Sequence, residues 1–104
     1  YEADELLFLF GLNKKLGPIL DWNIDLNGKK IQVNTENYQT SKEGIFAVGD
    51  INDYPGKLDL ILSGFHETTL AVQEAYKRIY PGERVPFGYT TSNSKLQEKL
   101  GVKK

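Results

Sequence analysis

Hydrophobic and polar positions along the chain fall into segments of different period, and each period predicts a different element. Leu6-Leu7-Phe8-Leu9-Phe10 is a continuous apolar run closed by Gly11. Its length and aromatic content predict a central strand rather than a helix. Asn13 to Gly17 is turn-like, and Pro18 opens a short turn or helix through Leu20. Trp22, Ile24 and Leu26 alternate with Asn23 and Asp25, as in a half-buried strand. Asn27-Gly28 is a strong two-residue hairpin signal, because the favoured turn needs positive φ at both central residues, and Ile31 and Val33 continue the alternation beyond it. Trp22 to Asn34 therefore reads as a hairpin.

Asn34 to Glu43 is polar and loop-like, and it delivers the chain to an apolar strand over Ile45 to Val48 that ends in Gly49-Asp50. Asn52 to Lys57 contains the turn dipeptide Pro55-Gly56. From Glu67 to Tyr80 the spacing turns helical: Leu70, Ala71, Ala75 and Ile79 share a face, and Glu74 with Lys77 and Arg78 favours the outer side. Pro81-Gly82 stops this helix. Val85 to Tyr89 reads as extended, and Lys95 to Leu100 as a short terminal helix. The set predicts an α/β fold in which one helix covers one face of a sheet. Parallel strands left so exposed call for a partner, either the rest of their own chain or another copy.

Composition narrows the classes of function. A chain of 104 residues fits one domain and can bury roughly two-thirds of the surface its unfolded form exposes. With 39% hydrophobic and 26% charged residues it should fold rather than remain disordered. A net charge of −1 offers no basic field for nucleic acid. The absence of cysteine removes disulfides, thiolate metal sites and a CxxC redox pair from this segment, and the single histidine, His66, argues against a protein-only zinc site. No apolar run reaches membrane-spanning length and nothing resembles a signal peptide, so a soluble, cytoplasmic protein without a membrane role is expected. The chain opens at Tyr1 and contains no methionine, which fits a fragment or processed product.

Candidate chemistry gathers at strand and helix ends. Asp50, following Gly49 at the end of a buried strand, could accept hydrogen bonds from ligand hydroxyls while the glycine allows close approach. Taken alone, it is equally a loop or cap residue. Gly64 precedes a helix start near His66 or Glu67, where unpaired N–H groups suit a carbonyl or anion; the plainer alternative is a glycine linker. Histidine is a common acid–base side chain, but His66 has no evident partner, and it is read as a surface residue without a catalytic role. Lys57 and Asp59 flank Leu58 as a solvated pair or, for Lys57, as a ligand contact. Tyr89, followed by Thr90, Thr91 and Ser92, could stack on a planar ligand with hydroxyls beside it, or simply pack at the surface. No acidic spacing suggests a metal.

The order of these pieces is more specific than any one of them. Thr40-Ser41-Lys42-Glu43-Gly44-Ile45-Phe46-Ala47-Val48-Gly49-Asp50-Ile51 resembles the pattern Thr-Ser-x-x-Gly-(Ile/Leu)-(Phe/Tyr)-Ala-x-Gly-Asp-(Ile/Val) of the thioredoxin-reductase-like flavoproteins. Tyr54 to Ile61, Ser63-Gly64-Phe65-His66-Glu67 and the extension Val85 to Lys104 resemble the ferredoxin–NADP⁺ reductases of that superfamily. A glycine is common there at the position of His66.

The resemblance implies the C-terminal portion of a split FAD-binding Rossmann-like domain over residues 1–82, with residues 83–104 as an extension covering the flavin. It assigns cofactor contacts to Gly49, Asp50, Lys57, Phe65, His66, Tyr89 and Thr90. Asp50 would bond the ribityl or pyrophosphate region, the backbone around Phe65 and His66 would face the pyrimidine edge, and Tyr89 would stack on the flavin. No catalytic side chain is assigned. NADPH would be the co-substrate, ferredoxin or flavodoxin the acceptor, and a homodimer the expected assembly. Neither the FAD nor the NADPH GxGxxG motif is in this chain, so alone it should be inactive. Two alternatives remain at this point: a fragment of a thioredoxin (disulfide) reductase, and a non-enzymatic, self-associating module.

Overall fold

In the computed structural model, residues 2–8, 11 and 13–102 are described. The Pro18 segment closes into a 3₁₀ helix over Gly17–Trp22, with Pro supplying its fixed φ at the first turn. The predicted hairpin then forms, shorter than its sequence span. Strand β1 (Leu26–Asn27) pairs antiparallel with β2 (Lys30–Gln32), Leu26 opposite Ile31 and Asn27 opposite Lys30, so the two-residue turn is Gly28-Lys29, one residue later than the expected Asn27-Gly28, and of the two only Gly28 has positive φ. Trp22 belongs to the 3₁₀ helix and Ile24 precedes the strand, yet Ile24 is buried, as the alternation required. Strand β3 (Asn52–Asp53) adds to β2 in parallel, Ile31 opposite Asn52, completing a sheet of order β1-β2-β3.

The apolar segment Ile45 to Val48 does not become the parallel strand expected of it. It folds back on the loop before it: Ala47 N–H donates to Tyr38 O at 3.1 Å, Thr40 N–H donates to Ile45 O at 2.9 Å, and Phe46 makes an isolated antiparallel bridge with Gln39. The place beside β2 is taken by β3 instead. Ala47 still reaches the core, in which Leu16, Ile24, Ile31 and Ala47 are buried and Ile19, Leu26, Val33, Ile45 and Ile51 pack against them. The N-terminal run behaves differently. Leu6 to Phe8 lack regular secondary structure and are exposed, so no central strand forms there; the sheet draws all three strands from residues 26–53. Leu9 and Phe10 lie outside the described residues.

Helix α1 (Ile61–Ile79) begins six residues before the expected Glu67. Its N-cap, Leu60, is extended and offers no side-chain cap, while Lys77 and Arg78 in the last turn complement the helix dipole. Arg78 also reaches Glu43 at 2.8 Å. The helix stops before Pro81-Gly82 as predicted, but its inward face is set by Glu67 and Ala71, and Ile79 is exposed. Beyond it, Val85 to Tyr89 has no regular secondary structure, Thr90–Ser92 forms a 3₁₀ turn, and the short helix α2 (Ser94–Lys99) is capped by Asn93, whose Oδ1 accepts from Leu96 N–H at 3.0 Å. The Cα radius of gyration is 19.4 Å, against about 13 Å for a compact chain of some 100 residues. One small core therefore supports segments that spread away from it.

Candidate functional site at the Gly49 to Asp50 turn

Gly49–Ile51 forms a 3₁₀ turn between the core segment and β3, with Gly49 at φ +78°, a left-handed conformation that other residues enter only with strain. Helix α1 lies directly on this turn. A Cβ added at Gly64 would sit 3.6 Å from Gly49 Cα, so the two glycines mark a close approach of helix and turn. The absence of a side chain at Gly49 thus serves its own backbone conformation, and Gly64 lies within the first turn of the helix rather than ahead of it.

One carboxylate holds the turn. Glu67 is fully buried and accepts four hydrogen bonds: Gly49 N–H at 2.6 Å and Asn52 Nδ2 at 2.9 Å on Oε2, the Tyr54 hydroxyl at 2.9 Å and the Lys57 ammonium on Oε1. Lys57, with its side chain 3% exposed, also donates to Gly49 O at 2.9 Å. Asn52 is fully buried and donates to Ala47 O at 3.0 Å as well. Burial opposes ionisation of Glu67, but Lys57, Gly49 N–H and Tyr54 together outweigh it and hold the carboxyl below its ordinary value of 4.5. Burial, and then the bond to Glu67, push the Tyr54 phenol well above its ordinary range.

This arrangement corrects two expectations. Lys57 and Asp59 are not a solvated pair: Lys57 turns inward to Glu67, and Asp59 binds Lys30 at 2.9 Å. That bond holds the Asp59 carboxyl low and raises Lys30. The Lys57 ammonium is engaged by Glu67 and by Gly49 O. The backbone around Phe65 and His66 is likewise inside the helix, Thr69 Oγ1 donating to Phe65 O at 2.9 Å, so the helix-start donors belong to residues 61–63.

The other candidate residues are accessible. The Asp50 carboxylate is exposed and makes no hydrogen bond among the described residues, while Lys14 donates to the Asp50 main-chain carbonyl. Phe65 is 72% exposed; with Val48, Gly49, Ile61, Gly64 and Thr68 it lines a hollow on one side of the turn. Asp50 lines another with Lys14, Ile51 and Asp59. His66 is exposed, its ring edge-on to Tyr38 at 6.5 Å. Phe87 and Gly88 share a groove with Phe65, whereas Tyr89, 74% exposed, packs its ring against Phe87 at 6.0 Å. Thr90 opens the 3₁₀ turn that follows. The structure thus gathers Gly49, Asp50, Phe65 and the Phe87 segment around the start of α1, and leaves Tyr89 at the margin.

The family-like segments contain Tyr54 and Glu67 but assign neither a role, and no motif marks Asn52. The available signal is an acidic residue four positions before Ala71, on the apolar face of the helix, with a lysine ten residues earlier. Among the described residues there is no group of His, Cys, Asp and Glu suited to a metal, and no helix long and apolar enough to cross a membrane.

A turn with an exposed carboxylate next to a helix start without a side-chain cap, and with Phe65 exposed in the first turns of that helix, is a surface suited to a polar cofactor. Comparison with known proteins names the class. The chain is 57% identical over 100 residues to a ferredoxin–NADP reductase of Beijerinckia indica subsp. indica, covering 96% of this chain and 29% of that protein. It is 60% identical over 97 residues to the corresponding enzyme of Mesorhizobium japonicum, covering 93% and 28%, and 56% identical over 101 residues to that of Parvibaculum lavamentivorans, covering 97% and 29%. No family model matches the chain. These residues are therefore homologous to part of the ferredoxin–NADP reductases, and the resemblance read from the motifs is borne out at that level. The chain spans about 29% of the length of the curated relatives it matches.

Proposed function

We propose that this chain is the flavin-contacting, C-terminal part of an FAD-dependent ferredoxin–NADP⁺ reductase. Residues 1–82 would form the second half of a split FAD-binding Rossmann-like domain and residues 83–104 an extension over the flavin. The observation that carries the reading is the 54–60% identity to ferredoxin–NADP reductases over nearly the whole chain. The geometry fits it: the Asp50 carboxylate is accessible for ligand hydroxyls, and the hollow beside Gly49 and Phe65 is open and largely apolar. The bound flavin supplies two-electron to one-electron redox exchange between NADPH and a small carrier, ferredoxin or flavodoxin. This chain's own residues bind and orient it. Asp50 accepts from its polyol or phosphate-linked region, the donors at the start of α1 face its polar edge, and Phe65 with the Phe87–Tyr89 segment screens it from water.

The names of the relatives support the ferredoxin branch over a disulfide reductase. With neither phosphate-binding GxGxxG motif present, the 104 residues alone are expected to be inactive with NADPH. In the complete reductase we place the protein in the cytoplasm as a homodimer. The test is Asp50→Ala in that reductase: FAD binding should weaken by about tenfold, the loss of one charge-assisted hydrogen bond, while the melting temperature of the apoprotein stays unchanged. Unaltered flavin retention overturns the assignment.

A further inference from the structure

The buried pair of Glu67 and Lys57 touches no open surface, and its usual explanation, stability, is weak. Removing two charges from water carries a penalty that their attraction repays only with excellent geometry, and apolar replacements of similar shape are often as stable or more so. What distinguishes this pair is where its hydrogen bonds go. Glu67 takes the N–H of Gly49 at 2.6 Å and Lys57 takes the C=O of the same residue, with Nζ at 2.9 Å. One ion pair thus grips a single glycine by both of its backbone groups.

The grip extends to both sides of the turn. Asn52 Nδ2 links Glu67 Oε2 to Ala47 O, so the last core residue before the turn and the first residue of β3 are tied to the same carboxylate. Gly49 at φ +78° has no side chain to restrain it and would otherwise be the most mobile peptide in the segment. The residue next in the chain is Asp50, whose carboxylate makes no hydrogen bond among the described residues, while its main-chain carbonyl accepts from Lys14. The direction of the Asp50 side chain is consequently set by a peptide that the buried pair fixes to helix α1.

We propose that Glu67, with Lys57, is a positioning residue that aims the Asp50 carboxylate and the adjoining turn at the cofactor. The inference rests on the flavin reading above and adds to it a buried element with no direct contact to the ligand. A side chain that orients a ligating group is expected to alter affinity through geometry, as supporting residues do around metal ligands and catalytic groups.

The experiment uses the complete FAD-loaded reductase and three variants: Glu67→Gln, the double variant Lys57→Met/Glu67→Gln, and Asp50→Ala. For each, the FAD dissociation constant, the visible absorption spectrum of the bound flavin and the melting temperature of the apoprotein are measured. Glu67→Gln should weaken FAD about tenfold and shift the flavin bands, and it should also lower the melting temperature by leaving Lys57 buried without its counter-charge. The double variant removes both charges and should recover most of the melting temperature while FAD remains weakened and the bands remain shifted. Recovery of affinity and spectrum together with the melting temperature would show that Glu67 only stabilises the fold, and would overturn the inference. If Asp50→Ala retains FAD normally, the flavin reading itself fails. If Asp50→Ala weakens FAD but the double variant does not, the positioning inference alone fails.

Discussion

The turn at residues 47–57 and the extension beyond residue 82 contribute aromatic and polar groups to the same neighbourhood, but they are built in opposite ways. Around the turn, Glu67 and Asn52 are fully buried, and one carboxylate collects donors from four residues. In the extension, Phe87 is 79% exposed, and the local bonds run between near neighbours, such as Ser92 N–H to Tyr89 O at 3.1 Å and Gln97 Nε2 to Thr91 O at 2.6 Å. One region is preset before any ligand arrives. The other owes its conformation to short-range capping and holds large apolar groups in water. For a cofactor site this division is physically sensible: the part that must aim a charge is rigid, and the part that must cover a ring need only be apolar and close by.

The sharpest way to break the contrast is to remove one partner of the buried pair. Lys57→Met leaves Glu67 buried without its counter-charge and should destabilise the fold by about 3–5 kcal/mol, read from urea or thermal unfolding of the full chain. An effect below about 1 kcal/mol, the level of a surface ion pair, would mean that the turn is no more tightly held than the extension.

Acid should act on the same group. The Glu67 carboxyl is lowered in the folded state, so its contribution is fully present above its ordinary value of 4.5 and is lost as the pH falls below that value through the folded-state pKa. Stability measured from pH 7 downward should therefore stay level in this respect to about pH 4.5 and fall beneath it. With Glu67→Gln the part of that fall due to this residue should vanish; an identical acid profile in the variant would show that other carboxyls govern it.

A smaller effect separates the two regions by backbone and side chain. Gly49→Ala must place a Cβ at φ +78°, which costs about 1–2 kcal/mol, although no atom crowds the position. Phe87→Ala and Tyr89→Ala remove exposed rings and should change stability by no more than about 0.5 kcal/mol. Parallel unfolding of the three variants checks the ranking, and equal losses would dissolve the distinction between a preset turn and a loosely held extension.

Much of the local structure was legible in the sequence. The Asn27-Gly28 hairpin, the Pro55-Gly56 turn, the stop at Pro81-Gly82 and a helix near residue 95 all depend on residues within one turn of each other, and all appear with small shifts in boundary. The segment Ile45 to Val48 departs from the expected strand for a reason of context. Its apolar content suits burial, and Ala47 is buried, but which backbone a buried segment pairs with depends on distant competitors, here β3 for the edge of β2. The first turn of α1 is not legible in the sequence, because Ile61, Leu62 and Phe65 are apolar yet exposed and do not continue the inward stripe that Glu67 and Ala71 define.

Sequence by itself determined the turn dipeptides, the stop of α1 at Pro81-Gly82, the glycine that permits φ +78° at the Gly49–Asp50 corner, and the kinship of these residues with the ferredoxin–NADP reductases. Those properties are written in short strings of residues whose conformations are decided by their own side chains. Only the tertiary structure decided what Glu67 and Lys57 are for. The carboxylate meets its donors at separations of 18, 15, 13 and 10 residues along the chain, at Gly49, Asn52, Tyr54 and Lys57. A charge on a helix reads as solvent-facing until the fold brings donors to it. Burial then turns the same group into the centre that holds the Gly49–Asp50 turn against helix α1.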